Sequence, residues 1–572
     1  MLTRAWQQIK LTPVLGLLYS TLICFSNTSA SETTVYVAKK IITMASPEAA
    51  TAVAVRDKLI VSVGSLEGVK TSLGNQAFTI DEVFKDKIIL PGLIDNHLHP
   101  AMAALILPMK FITPFEWRFP DREVAAVQGE KPYRRALQDA VAQSGNSSWF
   151  LTWGYHQYFH GDMSRNFLDS ISADKPIIVW HRSFHELYAN TTALRIMGIE
   201  SDDVAGHHHV DFNRGHFYET GLRVAMAKLA PIVLAPKKFR QGLELTRKIV
   251  HNGGITTIAD MAAGGFNFEE TWPIVSEVFG AAPFRTLMVA DGRSFGSPAG
   301  GVESLKRMAT LQALENSRIR WLKQVKLFAD GAFFSQLMQM NPPGYLDGHE
   351  GEWLMEPEEL LRQARRFWRA GYQIHIHTNG DKGADVVIDV LETLLRETPR
   401  QDHRFTLHHL GYATAAQAKR LGELNAYVSA QPYYLYTLGE KYSEIGLGPD
   451  RAERIFLGQE LLDAGVPISL HSDFTMAPAE PLKLAWVAAN RLTASGKVLA
   501  PELKLNLDQA LRAVTIEAAR AIRMENQIGS IAPGKKADFT ILNQDPYAVA
   551  IENLHEIPIF GTVFEGKIYP IQ

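Results

Sequence analysis

The chain has 572 residues, 46% of them hydrophobic and 21% charged, with a formal net charge of -3. That is enough apolar material for a large core with accessory domains. The near-neutral balance supplies no basic field for nucleic acid and no reason to expect an anionic membrane surface as a partner.

Residues 1–30 read as a secretory leader. Arg4 and Lys10 precede an apolar run from Leu11 to Phe25, and Thr28-Ser29-Ala30 offers small residues for cleavage before Ser31. The alternative is an uncleaved membrane anchor. Pro13, Gly16 and the polar Tyr19-Ser20-Thr21 make the run weak against the roughly 20 apolar residues that a span needs. Ile23 sits where a lipoprotein signal around Cys24 would want a small residue. A cleaved, periplasmic or secreted protein without a stable membrane span is therefore expected. Cys24 is the single cysteine, so the mature chain would have none. Disulfides and thiolate chemistry fall away, and any metal must be held by His, Asp, Glu or a modified Lys.

After the leader, Val35-Tyr36-Val37, Ala52-Val53-Ala54-Val55 and Leu59-Ile60-Val61 read as short strands broken by turns. Pro91-Gly92-Leu93-Ile94-Asp95-Asn96-His97-Leu98-His99-Pro100 follows. Side chains alternate along a strand, so His97 and His99 share a face with Leu93 and Asp95 beneath them, as a metal-ligand pair or as two satisfied polar groups at a sheet edge. From Pro100 to about Gly253 the chain runs far beyond an ordinary connection, which predicts a separate insertion, a lid over the mouth of whatever fold surrounds it.

Further β-rich runs begin at Ile255, Phe284, Val325, Tyr372, Phe405, Ala426 and Pro467, with amphipathic stretches at Pro357 to Arg369, Gly383 to Arg396 and Ala413 to Leu424. Together with Leu93 to His99 they predict a (β/α)8 TIM-like barrel, whose active site lies at the C-terminal strand ends, where the histidines and aspartates fall. The tail from Gly529 to Ile571 again reads as short strands. The expected organisation is a β-sandwich domain built from residues 31–90 and 526–572, around a barrel over 91–525 with its insertion at about 101–253.

These residues resemble the amidohydrolase superfamily, and within it the amidohydrolase-3, YtcJ-like branch of metal-dependent hydrolases. The likeness rests on Pro91 to His99, Gly254-Ile255-Thr256-Thr257, Lys326 to Gly331, His377-Thr378-Asn379-Gly380-Asp381, His408, Ser472-Asp473 and the tail Gly529 to Asp538. It implies a barrel, a split β-sandwich and a hydrolytic site holding a divalent metal, one or two zinc ions. His97 and His99 would hold the more buried ion, and His377 and His408 the more exposed one. Lys326 would bridge both as a carbamate formed with CO2, which requires a buried, neutral amine. Asp473 would be a metal ligand and the proton handler, taking a proton from the attacking water and returning it to the leaving amine. The metal would make hydroxide available near neutral pH and polarise the scissile carbonyl.

In the insertion, Phe184-His185-Glu186-Leu187-Tyr188-Ala189-Asn190 resembles the family segment that reaches over the substrate, and His185 is the expected catalytic contributor from the lid. His375 and His471 lie one pleat below His377 and Asp473, which assigns them to barrel layers or to orienting the ligands. His409 should point away from His408 on a regular strand and pack against a helix. Relatives carry a Gln two residues past the strand-six histidine, where this chain has Leu410. His207-His208-His209 reads as a solvated cluster. Trp149, Trp153, Tyr155, Tyr158, Trp180, Tyr433, Tyr434 and Tyr436 are mostly core, with some available to line a pocket for an aromatic or hydrophobic small-molecule substrate.

The expected activity is hydrolysis of a non-peptide C–N bond in an amide, N-acyl amine or cyclic amide. The alternatives are a mononuclear deaminase or C–O hydrolase on the same scaffold, and a catalytically silent metal- or ligand-binding protein of the envelope. Asp381, where deaminase relatives place a Glu, counts against the deaminase. A homo-oligomer is compatible with every reading.

Overall fold

The computed structural model describes residues 32–145, 148–265, 267–295 and 302–571. The leader, its cleavage before Ser31 and Cys24 lie outside the described residues. Among the described residues no helix is long and apolar enough to cross a membrane.

The centre is a nearly closed barrel of eight parallel strands in sequence order: β1 (Leu93–Leu98), β2 (Ile255–Ala263), β3 (Arg285–Asp291), β4 (Ile319–Phe328), β5 (Gln373–Thr378), β6 (Thr406–His409), β7 (Tyr427–Ala430) and β8 (Ile468–Leu470). Strands β1, β3, β5 and β6 are buried at every position, as parallel strands covered on both faces must be. Between β8 and β1, Asn96 Nδ2 donates to Ser469 Oγ at 2.9 Å and the Asp473 N–H donates to the His97 carbonyl at 2.9 Å.

The outer helices follow from their apolar spacing. Pro357–Arg369 opens on Pro357, carries Glu358 and Glu359 in its first turn and Arg366 and Arg369 in its last, and buries Leu360, Ala364, Phe367 and Trp368. Proline at the helix start, acid early and base late all suit the helix dipole, and the buried positions form one face.

Both ends of the described chain contribute to one seven-stranded sheet, in which Phe78–Pro91 lies between Thr33–Ile42 and Phe539–Leu542. Phe78–Pro91 runs directly into β1 through Gly92. A Cβ at Gly92 would come within 1.9 Å of Thr256 Oγ1, so only glycine lets β1 enter the barrel against β2. Arg285, at the start of β3, joins this sheet to the barrel. Its Nη1 lies 2.8 Å from Asp538 Oδ2 and its Nη2 3.4 Å from Glu565 Oε1.

Within residues 101–253 a second sheet of six strands forms, including Phe150–Tyr155, Ile177–His181 and Glu186–Ala189. Trp153 and Trp180 are fully buried there. His209 is not simply solvated: it pairs with Glu352 at 3.0 Å and Thr220 at 2.5 Å.

Candidate active site at the barrel mouth

Seven imidazoles (His97, His99, His375, His377, His408, His409 and His471), Lys326 and Asp473 converge inside the C-terminal part of the barrel. A continuous relay of ring contacts begins on β4. Gln324 donates through Nε2 to the Ile522 carbonyl, which leaves its Oε1 to accept from His375 Nε2 at 3.0 Å. His375 Nδ1 is then an acceptor for His408 Nε2 at 2.8 Å, and His408 Nδ1 an acceptor for His97 Nδ1 at 2.7 Å. A neutral imidazole has one donor and one acceptor nitrogen, so the relay assigns a bare lone pair to His97 Nε2. That atom lies 3.2 Å from His99 Nε2 and 3.7 Å from Asp473 Oδ1. Burial holds the pKa values of His97 and His408 well below the usual value, so both are neutral.

His99 differs. Burial disfavours its charged form, yet the Asp260 and Asp473 carboxylates raise its pKa to about 9. Its Nε2 is 3.2 Å from Asp473 Oδ1 and its Nδ1 3.8 Å from Asp260 Oδ1. Asp260 was not singled out from the sequence. The available signal was an acidic residue ending a predicted strand, Ile255 to Asp260.

Lys326 is 1% exposed and its Nζ has no hydrogen-bond partner among the described residues. Burial drives its pKa far down, so the amine is neutral. An orphaned neutral amine beside the bare His97 Nε2, further converging imidazoles and a carboxylate is a donor set that fits a divalent metal bound through nitrogen and oxygen.

The structure corrects the reading of His409. Strict alternation would turn it outward, but its backbone enters the left-handed region at φ 76°, followed by Leu410 at 46°, and this breaks the alternation. The His409 ring centroid lies 4.5 Å from that of His377 and 4.7 Å from that of His97, and Nδ1 is 3.8 Å from Asp473 Oδ2. Two sets of ligand atoms cluster within 4.8 Å: His97, His408 and His471, and His97, His409 and Asp473. His377 joins the second through its contact with His409 and accepts from Asn379 Nδ2 at 2.9 Å. His471 Nε2 lies 3.1 Å from His409 Nδ1, with its Nδ1 on Ser429 Oγ at 2.8 Å, an orienting contact.

Beneath the cluster, Asp95 accepts hydrogen bonds from the Ser472 hydroxyl and from the Ser472 N–H, the latter at 3.2 Å. Full burial lifts the Asp95 pKa to about 7 despite these donors. From the insertion, His185 reaches over β5 with its ring centroid 5.9 Å from that of His377. Its Nδ1 contacts Glu219 Oε2 at 2.7 Å, and Glu219 raises its pKa against the opposing effect of burial. Glu219, fixed also by the Ala332 N–H at 3.3 Å, carried no motif signal.

A sequence model of the amidohydrolase family matches residues 84–570. The chain is 27% identical to the protein LONG AFTER FAR-RED 3 of Arabidopsis thaliana, over 91% of this chain and 88% of that one. It is 25% identical to an N-substituted formamide deformylase of Arthrobacter pascens, covering 91% and 94%, and 23% identical to the putative amidohydrolase YtcJ of Bacillus subtilis, covering 90% and 95%. Among solved structures, an uncharacterized metal-dependent hydrolase of Pyrococcus horikoshii shares the fold with a TM-score of 0.68 at 20% identity, over 91% of this chain and 99% of that one. The family match spans the barrel and the C-terminal strands of the seven-stranded sheet, and the metal-fitting cluster lies at the strand ends within it: the chain belongs to the amidohydrolase family.

Proposed function

We propose that this protein hydrolyses a C–N bond other than a peptide bond in a small amide, N-acyl amine or cyclic amide. The observation that carries the reading is the approach of His97, His409 and Asp473 ligand atoms to within 4.8 Å of one another, beside the neutral Lys326. The formamide-cleaving relative supports a C–N bond as the target.

His97, His99, His377, His409, Lys326 and Asp473 would hold the metal. Both ring nitrogens of His408, the strand-six ligand expected from sequence, are engaged by His97 and His375, so we assign it to orienting His97. A divalent metal, with zinc the preferred ion, would supply activation of the nucleophilic water and polarisation of the carbonyl, and Lys326, as a carbamate formed with CO2, would help to hold it if two ions are bound. Asp473 takes a proton from the attacking water and delivers it to the leaving nitrogen. His185, held by Glu219, covers the substrate from the lid.

A cavity of about 40 Å³ lies against His99 and Asp260, walled by Met102, Phe268, Trp272, Val275 and Met288, and its walls suit an apolar substituent on the substrate. We also read the seven-stranded sheet as the β-sandwich domain, residues 101–253 as a lid, and the protein as exported.

The test is to strip the protein with a chelator, reload it with zinc, manganese or iron, and measure amine release from N-substituted formamides, N-acyl amines and cyclic amides. Metal-dependent release supports the reading. Ammonia from an amino-heterocycle would favour a deaminase, ester cleavage alone a C–O hydrolase, and metal uptake without turnover of any substrate an envelope binding protein.

A further inference from the structure

Arg182 sits on the turn between the lid strands Ile177–His181 and Glu186–Ala189, and it is 0% exposed. No carboxylate among the described residues pairs with it. Its guanidinium rests against the rings of Phe334 at 4.4 Å, Phe115 at 5.1 Å and Tyr433 at 5.9 Å. Nη2 donates to the Met476 carbonyl at 3.0 Å, while Nε and Nη1 have no hydrogen-bond partner among the described residues. Burial draws its pKa down to about 10, which leaves it charged at neutral pH.

A buried cation with one carbonyl and three aromatic faces is costly to install, and an apolar side chain of similar size would fill the space at less cost. The contacts indicate what the charge achieves. Phe115 opens the lid, Phe334 follows β4, Tyr433 follows β7 and Met476 follows β8, so one side chain fastens the lid to three loops of the barrel mouth. The Met476 contact leads directly to the catalytic aspartate. Asp473 is in the left-handed region at φ 52°, a conformation that a non-glycine residue keeps only when its surroundings hold it. Its carbonyl accepts the Met476 N–H at 2.7 Å, and Ala477 N–H donates back to the Ser472 carbonyl at 3.1 Å.

We propose that Arg182 is a positioning residue: from the lid it clamps the Asp473–Met476 turn, and lid docking thereby sets where the Asp473 carboxylate lies. This rests on the proton-transfer role given to Asp473 above. A methionine at 182 would retain the packing and leave the turn free to shift. A displacement of about 1 Å in a reacting group is enough to cost about 10²-fold in rate.

The experiment uses the metal-loaded full-length variants R182M and R182K. On an amide that the wild type cleaves, R182M should lower kcat by about 10–100-fold with KM within about twofold, at unchanged metal content, and R182K, which keeps charge and a donor, should recover part of the loss. Hydrogen exchange at the Met476 and Ala477 amides should speed up in R182M more than in R182K. Unchanged kcat and exchange in R182M overturns the proposal, as does a loss that R182K shares in full or one that follows metal content. If R182M does not fold, R182K decides: lower kcat at constant KM with faster exchange at 476–477 supports the clamp, and wild-type values overturn it. The exchange measurement needs no substrate, so a wild type inert on every amide would sink the hydrolytic reading while the clamp was still decided.

Discussion

His97 and His408 face each other through their Nδ1 atoms at 2.7 Å, and His408 in turn rests on His375 at 2.8 Å. Because Gln324 anchors the far end of this relay, the proton positions are determined along its length, and His97 presents an unprotonated Nε2 to the mouth. His408 is thereby occupied on both sides, while His409 stands beside Asp473.

Metal content should separate the two strand-six histidines. His409→Ala is expected to lose metal outright under dialysis, whereas His408→Asn should weaken binding by about 10–100-fold, the usual cost of removing a group that orients a ligand. Elemental analysis after graded chelation reads the difference. The reverse order would make His408 the ligand.

Asp473→Asn should keep the fold and much of the metal while lowering turnover by about 10²–10⁴-fold, the usual worth of general acid–base help. The amide has nearly the carboxylate's shape but cannot carry the proton. The loss should lie in kcat rather than KM. Wild-type turnover on an identified amide would reduce Asp473 to a structural role.

Lys326→Ala should abolish most activity, and short carboxylic acids should restore part of it by occupying the place of a bridging carbamate. The buried, unpartnered Nζ motivates this expectation. Full activity in the variant would leave a mononuclear site as the better account.

Acid should loosen the contact between the terminal sheet and the barrel. Burial alone would raise the pKa of Glu565, but hydrogen bonds from Lys58 and Lys536, with the nearby Arg285, hold it at about 2 against a usual 4.5. A carboxylate depressed in the folded state stabilises above its unfolded pKa and loses that contribution as pH falls through the folded one. Glu565→Gln should therefore cost about 1 kcal/mol near neutrality, and the gap in Tm from the wild type should close between about pH 5 and pH 2. A gap constant across that range would show that the Glu565 charge contributes nothing.

The sequence alone was sufficient for features with local periodicity. The period-two spacing of His97 and His99, the apolar runs that became β1 to β8, and the face of Pro357–Arg369 all depend on neighbours a few residues apart. The polar residues ending those runs marked the strand ends that the barrel gathers at one mouth. The same local rule misdirected His409. Its inward turn comes from backbone that leaves strand geometry at His409 and Leu410, and side-chain alternation holds only while that geometry continues.

What tertiary structure alone decided are contacts between residues remote in the chain. His185 meets Glu219 from 34 positions away, His97 meets His408 from 311, and Arg182 meets the Met476 carbonyl from 294. No local pattern encodes such pairs, because they depend on strand register and on how the lid seats on the barrel. Burial is likewise a property of the assembled fold. A lysine within an apolar run was visible in the sequence, but only enclosure within the barrel removes water from Lys326 and leaves its amine neutral.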